Sequence, residues 1–185
     1  MKNLVKVKII FLIIIGLYYG CSESFLEKTM PLGMETTATF YSSEDNAVQA
    51  VTACYSIMVY RGSFSRNFWA FGDVASDDTE AAGEIGGVDQ PPMQRIDQML
   101  HVPTNPYLFE YWRNLYEGIN NCNLVLENLT GAEFDENIRN RLMAEALFLR
   151  GMYYFYLNIT FGGVPLVTRI LILDEYYSTP RNTIA

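Results

Sequence analysis

From Leu108 to Leu129 apolar side chains recur at steps of three and four: Leu108, Tyr111, Trp112, Leu115, Ile119, Cys122, Leu126 and Leu129, interrupted only by the adjacent pair Tyr111 and Trp112. That period predicts a helix with one buried stripe, about six turns long. Asn105 stands at its N-cap and Pro106 at the first helical position, where the missing proline N–H costs nothing. Gly131 ends it. After a short linker Asp135 caps a second long helix through NIRNRLMAEALFLRGMYYFYLNITF, closed by Gly162 and Gly163 with Pro165 beyond. Between Leu142 and Leu157 this helix is apolar nearly all round, so more than one neighbour must cover it. Upstream, Val48, Val51, Tyr55, Met58 and Val59 share one side of a further helix. Ser42 or Ser43 opens it, with Asp45 at capping-box spacing from Ser42 and Gly62 as a left-handed stop.

Between these helices the periodicity fails. Residues 62–105 are rich in Gly, Pro and acids, with a short helix expected over Met93–Leu100. An irregular segment of this length is the expected ligand-facing surface. Residues 22–42 read as an extended leader, and the run after Pro165 as a possible short strand followed by a turn around Pro180. Two long helices joined by a short loop form a solenoid-like unit, and such units need neighbours. No later element covers the other face of the last helix, so the sequence reads as C-terminally incomplete.

The opening MKNLVKVKIIFLIIIGLYYGC places three lysines before an apolar run from Ile9 to Leu17, then Gly20 directly before Cys21. This is the architecture of an export signal, and the run is short for a spanning helix, which needs about 20 apolar residues. Gly20-Cys21 resembles the lipobox of bacterial lipoproteins, in which the cysteine is acylated and becomes the first mature residue. Ordinary secretory cleavage and an uncut anchor are the alternatives. With Cys21 lipidated, more than one acyl chain gives a stable tether. Cys54 and Cys122 then lie in a compartment that permits a disulfide, but on helices among apolar neighbours they read as buried free thiols. Neither has the electropositive surroundings of a nucleophile.

Charge narrows the partners. The chain of 185 residues has 13 basic and 21 acidic side chains, a formal −8. Residues 1–20 hold three of the lysines and no acid, so the exported body carries 10 basic against 21 acidic groups, a balance of −11. Such a body is a poor partner for nucleic acid, whose affinity comes from Lys and Arg. With one histidine and three cysteines at no close ligand spacing, a structural zinc site or multi-histidine centre is excluded. Acids are present in the 73–84 loop, but nothing positions a nucleophile and base for catalysis.

In the irregular segment Trp69, near Phe68 and Phe71, offers an aromatic face for a sugar ring; the alternative is that the run packs the loop onto the helices. Asp73, Asp77, Asp78 and Glu80 would accept from hydroxyls or hold Ca²⁺, or else cap helices and face water. Glu145 and Arg150 are five apart and do not pair on one face, which assigns them partners on neighbouring helices. Trp112 and the run Tyr153–Tyr156 read as core, Asn120, Asn121 and Asn123 as bridges between helices or loops, and His101 as structural.

The run AEALFLRGMYYFYLNITFGGVPLV, residues 144–167, resembles the signature of the SusD/RagB proteins: Phe148-Leu149-Arg150, an aromatic run, then Phe161-Gly162-Gly163-Val164-Pro165-Leu166. YWRNLYEGINNCNLVLENL at 111–129, FGDVASDD at 71–78 and EYYSTPRNT at 175–183 are similar to further segments of that family, in its order, as are the signal and the Ser-Glu after Cys21. The resemblance implies a mainly helical fold of tetratricopeptide-like pairs, divided here into a signal (1–20), a tether (21–42) and the N-terminal helical part of a SusD-like domain (43–185). It implies a lipoprotein of the outer membrane, anchored through Cys21 and facing the cell exterior. Such a protein binds oligosaccharides or other nutrients and passes them to a SusC-like TonB-dependent transporter, without catalysis and without a cofactor. Trp69, Asp73, Asp77 and Asp78 are the candidate ligand contacts, with most of the site in a C-terminal portion beyond this chain. The alternative is a helical scaffold that docks to the transporter without a ligand site of its own.

Overall fold

The two long helices form where the stripes predict them, and both caps are made as expected. A computed structural model describes residues 36–59, 68–81, 83–84 and 89–183. The signal, Cys21, Gly62 and most of the tether lie outside the described residues. Within them, α1 is a single turn, Thr37–Phe40, α2 is Glu44–Val59, α3 Pro91–Asp97, α4 Pro106–Leu129 and α5 Glu136–Phe161. Asn105 accepts the Tyr107 N–H at 3.0 Å to start α4. Asp135 accepts from Asn137 and Ile138 at 2.9 and 3.1 Å to start α5, satisfying N–H groups that a helix start leaves without partners. Gly162 closes α5 with φ 72°, the left-handed region that favours glycine. No helix among the described residues is long and apolar enough to cross a membrane.

Two starts differ from expectation. The Ser42–Asp45 capping box does not form, because the Ser42 hydroxyl turns back to the Thr39 carbonyl at 2.7 Å. The box lies upstream instead, between Thr36 and Thr39, and opens α1. The leader is therefore helical in its last turn, and Phe40 and Tyr41 pack against the core. The short helix expected over Met93–Leu100 starts two residues earlier, at the Pro91-Pro92 pair, and ends at Asp97.

The helices α2, α4 and α5 pack against one another. The α4–α5 pair runs antiparallel: the Tyr111 ring meets Phe161, Gly118 meets Tyr153, Asn123 meets Arg150, and Arg139 reaches back to the Ala132 carbonyl at 2.8 Å. Between them lies a core of Val51, Cys54, Leu115, Ile119, Cys122, Leu142, Leu149, Tyr153 and Leu157. Two helices thus cover α5, as its nearly all-round apolar surface requires, and still leave Phe148, Phe155 and Ile159 between 58% and 70% exposed. A second, smaller core of Ala70, Val74, Met93, Ile96 and Tyr107 holds the irregular segment in place. Phe71 joins the two by stacking on Tyr111 at 5.4 Å.

Candidate functional site

Residues 162–183 lie as a strap across α4 and α5, and Asn123 is the centre of its attachment. Asn123 sits on α4 and is wholly buried, where an amide without partners costs about 1–3 kcal/mol. Its Nδ2 donates to the carbonyls of Val167 and Arg169 at 3.1 and 3.2 Å, and its Oδ1 accepts from Arg150 at 2.8 Å. Arg150 also donates to the Thr168 carbonyl at 3.1 Å. The Tyr154 hydroxyl serves both backbone groups of Val167, donating to the carbonyl at 2.9 Å and accepting the N–H at 2.6 Å. Tyr116 donates to the Pro165 carbonyl at 2.7 Å, and Arg181 to the carbonyls of Gly163 and Phe161 at 2.6 and 2.8 Å. The strand expected after Pro165 does not form, because side chains from the two helices take the backbone groups that a neighbouring strand would use. Arg150 has its partners on α4 and the strap, while Glu145 accepts from Tyr55 of α2 at 3.3 Å and pairs within α5 with Arg141 at 3.7 Å.

Between strap and α4 opens a hollow of about 540 Å³, bordered by Trp112, Arg113, Tyr116, Glu117, Asn120 and Tyr176. Trp112 also borders a second hollow of about 570 Å³, with His101, Phe109, Thr160, Phe161 and Arg181. Trp112 lies 4.9 Å from the Tyr116 ring and meets Phe161 edge-on at 5.1 Å, so three aromatic faces stand beside charged and amide groups. Burial pushes the Tyr116 hydroxyl well above its ordinary value; Tyr154 adds to the shift and Arg181 opposes it. Tyr116 therefore stays neutral and keeps its proton on the Pro165 carbonyl. Trp112 packs against the main core, as its place in the stripe suggests, but only in part. Neighbours on a helix point about 100° apart, so with Tyr111 buried, Trp112 falls at the stripe's edge and also borders both hollows.

The sequence-derived candidates occupy other ground. Trp69 directly precedes a π-helical turn, Ala70–Val74, whose two end residues are wholly buried. It is 47% exposed and borders a hollow of about 150 Å³ with Ala81, Gln90, Met93 and Gln94. Its neighbours take the packing role: Phe68 meets Tyr156 edge-on at 5.6 Å and Phe71 stacks on Tyr111. Asp77 and Asp78 share a polar depression of about 530 Å³ with Ser76, Thr79, Glu80 and Asp97. Asp73 borders neither hollow; its backbone carbonyl accepts the Ser76 N–H and hydroxyl at 3.0 and 2.6 Å. The two carboxylates thus come together, while Trp69 and Asp73 stand apart from them. No group of three His, Cys, Asp or Glu side chains among the described residues converges to hold a metal ion.

A family model of SusD-like proteins, described as starch-binding and associating with the outer membrane, matches residues 24–185. The chain belongs to the SusD-like family. The match spans the three-helix core and the strap, including the Phe161–Leu166 signature that opens the strap. SusD-like protein P25 of Formosa agariphila is 27% identical over 171 residues, covering 90% of this chain and 32% of that protein. SusD-like protein P2 of the same organism is 24% identical over 97% of this chain and 35% of its own length. A SusD-like protein of Bacteroides ovatus is 26% identical over 82% and 26%. The crystal structure of a SusD-like carbohydrate binding protein of Bacteroides fragilis superposes with a TM-score of 0.63 at 27% identity, over 78% of this chain and 29% of that one. This SusD-like chain therefore spans about a third of the length of the curated relatives it matches.

Proposed function

We propose that this chain is part of a cell-surface lipoprotein that binds oligosaccharides or other nutrients and delivers them to a TonB-dependent transporter in the outer membrane. The family match over residues 24–185 carries this reading, because it covers the helices, the loop unit and the strap. The surface chemistry agrees with it. Sugars offer apolar ring faces edged by hydroxyls, and such ligands suit half-exposed aromatics beside carboxylates and amides. In this reading Trp69 stacks on one ring, and Asp77 and Asp78 accept hydroxyls in the neighbouring loop. Asp73, with its carbonyl engaged in the turn and its carboxylate exposed, contributes at the edge. Cys21 carries the lipid, and no step of the activity is catalytic.

Isothermal titration of a full-length parent against oligosaccharide pools tests binding, and uniform absence of heat with any glycan or peptide overturns it. The anchor has its own test: labelled palmitate enters the wild-type chain and is lost in Cys21→Ser. The bare apolar face of α5, with Phe148 at 70% and Phe155 at 58% exposure, favours a second reading, a scaffold that docks to the transporter without a ligand of its own. Capture of the transporter by a chain that binds no glycan is the result that selects it.

A further inference from the structure

Cys54 on α2 and Cys122 on α4 meet in the middle of the main core. Both are wholly buried free thiols in one core cluster, on helices that pack against each other. The Cys54 thiol also contacts the Ala50 carbonyl at 3.5 Å. Tyr153 closes over the pair from α5, its hydroxyl donating to the Cys54 carbonyl at 2.5 Å. The two cysteines therefore enter one core from different helices, with a third helix covering them. A metal role has no support, since no third ligand converges there among the described residues. A nucleophilic role has none either, since both side chains are wholly buried and no substrate reaches them.

We propose that Cys54 and Cys122 form a disulfide that staples α2 to α4 in the exported protein. The inference rests on the export reading above, because the oxidising envelope is what permits the bond to persist. The oxidant is a disulfide-bearing thiol oxidoreductase of that compartment. One cysteine, as thiolate, attacks the oxidant's disulfide and gives a mixed disulfide; the second cysteine then attacks the first sulfur. The Cys54–Cys122 bond forms as the mixed disulfide breaks, and the oxidant leaves as a dithiol carrying both electrons and two protons. Because neither sulfur is accessible once the helices pack, the exchange precedes closure of the core.

Trypsin places Cys54 in peptide 29–61 and Cys122 in peptide 114–139, with Cys21 in neither. The full chain, recovered from the envelope fraction and alkylated under denaturing, non-reducing conditions, is digested and weighed. The expected product is one species joining the two peptides, lighter than their sum by two hydrogens, that disappears on reduction and in Cys54→Ala. Envelope-derived chain with the alkylating label on both cysteines overturns the proposal. Fractionation separately reports whether export itself occurs. As a second arm, the full chain made in the cytosol is refolded from denaturant in oxidised glutathione. Closure of the pair there supports the bond even where no export is found, and thiols that stay alkylatable overturn it.

Discussion

Gly118→Ala tests the packing of the α4–α5 interface more sharply than any truncation. A Cβ at Gly118 would stand 2.6, 2.8 and 2.9 Å from three ring atoms of Tyr153. The ring has little room to retreat, being wholly buried and tied by its hydroxyl to the Cys54 carbonyl. Alanine in a helix interior gains about 1 kcal/mol over glycine. Against this stand about 3 kcal/mol for overpacking at the upper end of its usual range, and a share of the tyrosine hydrogen bond as the ring is displaced. The expected net is a loss of about 2 kcal/mol. Gly151→Ala supplies the control: it lies within α5, exposed, and its Cβ would meet nothing within 4 Å. Only the propensity gain of about 0.5–1 kcal/mol remains there. Urea unfolding followed by helical circular dichroism reads both. With a slope of about 2 kcal/mol per molar, typical of small proteins, Gly118→Ala lowers the midpoint by about 1 M and Gly151→Ala raises it slightly. If Gly118→Ala folds too poorly to titrate, adding Tyr153→Leu frees the volume and recovers part of the loss. A Gly118→Ala chain as stable as wild type, or the two glycines responding alike, refutes the packing described here.

Asn123→Ala leaves the Val167 and Arg169 carbonyls without their donor and Arg150 without its acceptor; a loss of about 2–3 kcal/mol is expected, with faster amide exchange along the strap measured by hydrogen exchange. Glu175 is held down to about 2, from an ordinary 4.5, by its hydrogen bonds from Arg169 and then from the Ile172 N–H. Because its folded value is depressed, its support for the turn at Leu173–Glu175 is complete above about pH 4.5 and fades as pH falls toward 2. The protection factor of the Ile172 amide, corrected for the intrinsic exchange rate at each pH, should fall over that window while those of the α4 amides stay constant. Trp69→Ala in a full-length parent should weaken oligosaccharide binding roughly two- to tenfold by titration calorimetry, as loss of one aromatic contact implies, with helix content unchanged.

What the sequence disclosed follows from the distance over which each feature is determined. Asn105 and Asp135 cap their helices through N–H groups two or three residues away, so their roles are written locally. The buried stripe of α4 is equally local, since periodicity alone selects it. Ser42 had the right spacing to Asp45, yet the capping box lies upstream at Thr36–Thr39, and the Ser42 hydroxyl donates to the Thr39 carbonyl. The strap was legible only as a run of extended residues. Its partners lie 44 and 49 positions away, and nothing in Val167 or Pro165 announces that Asn123 and Tyr116 will satisfy them. Trp69 and the Asp77–Asp78 pair were picked by residue type, which identifies chemistry but not whether three loop positions share one hollow.

Asn123 and Cys122 are adjacent on α4, and together they explain why this helix organises the chain. Successive residues on a helix point about 100° apart. Cys122 accordingly faces the core it shares with Cys54 of α2, while Asn123 faces the strap and receives Arg150 from α5. One turn earlier Gly118 provides the space that admits Tyr153, whose hydroxyl returns to Cys54. A single stretch of α4 thus ties itself to α2, α5 and the strap by three different means: shared burial of Cys122 and Cys54, amide hydrogen bonding and close backbone approach. Disturbing one of them should propagate to the others. In the reduced protein, or in Cys122→Ser, exchange of the strap amides should therefore rise along with that of α2. A strap whose exchange stays fixed while α2 loosens would show that the two faces of α4 act independently.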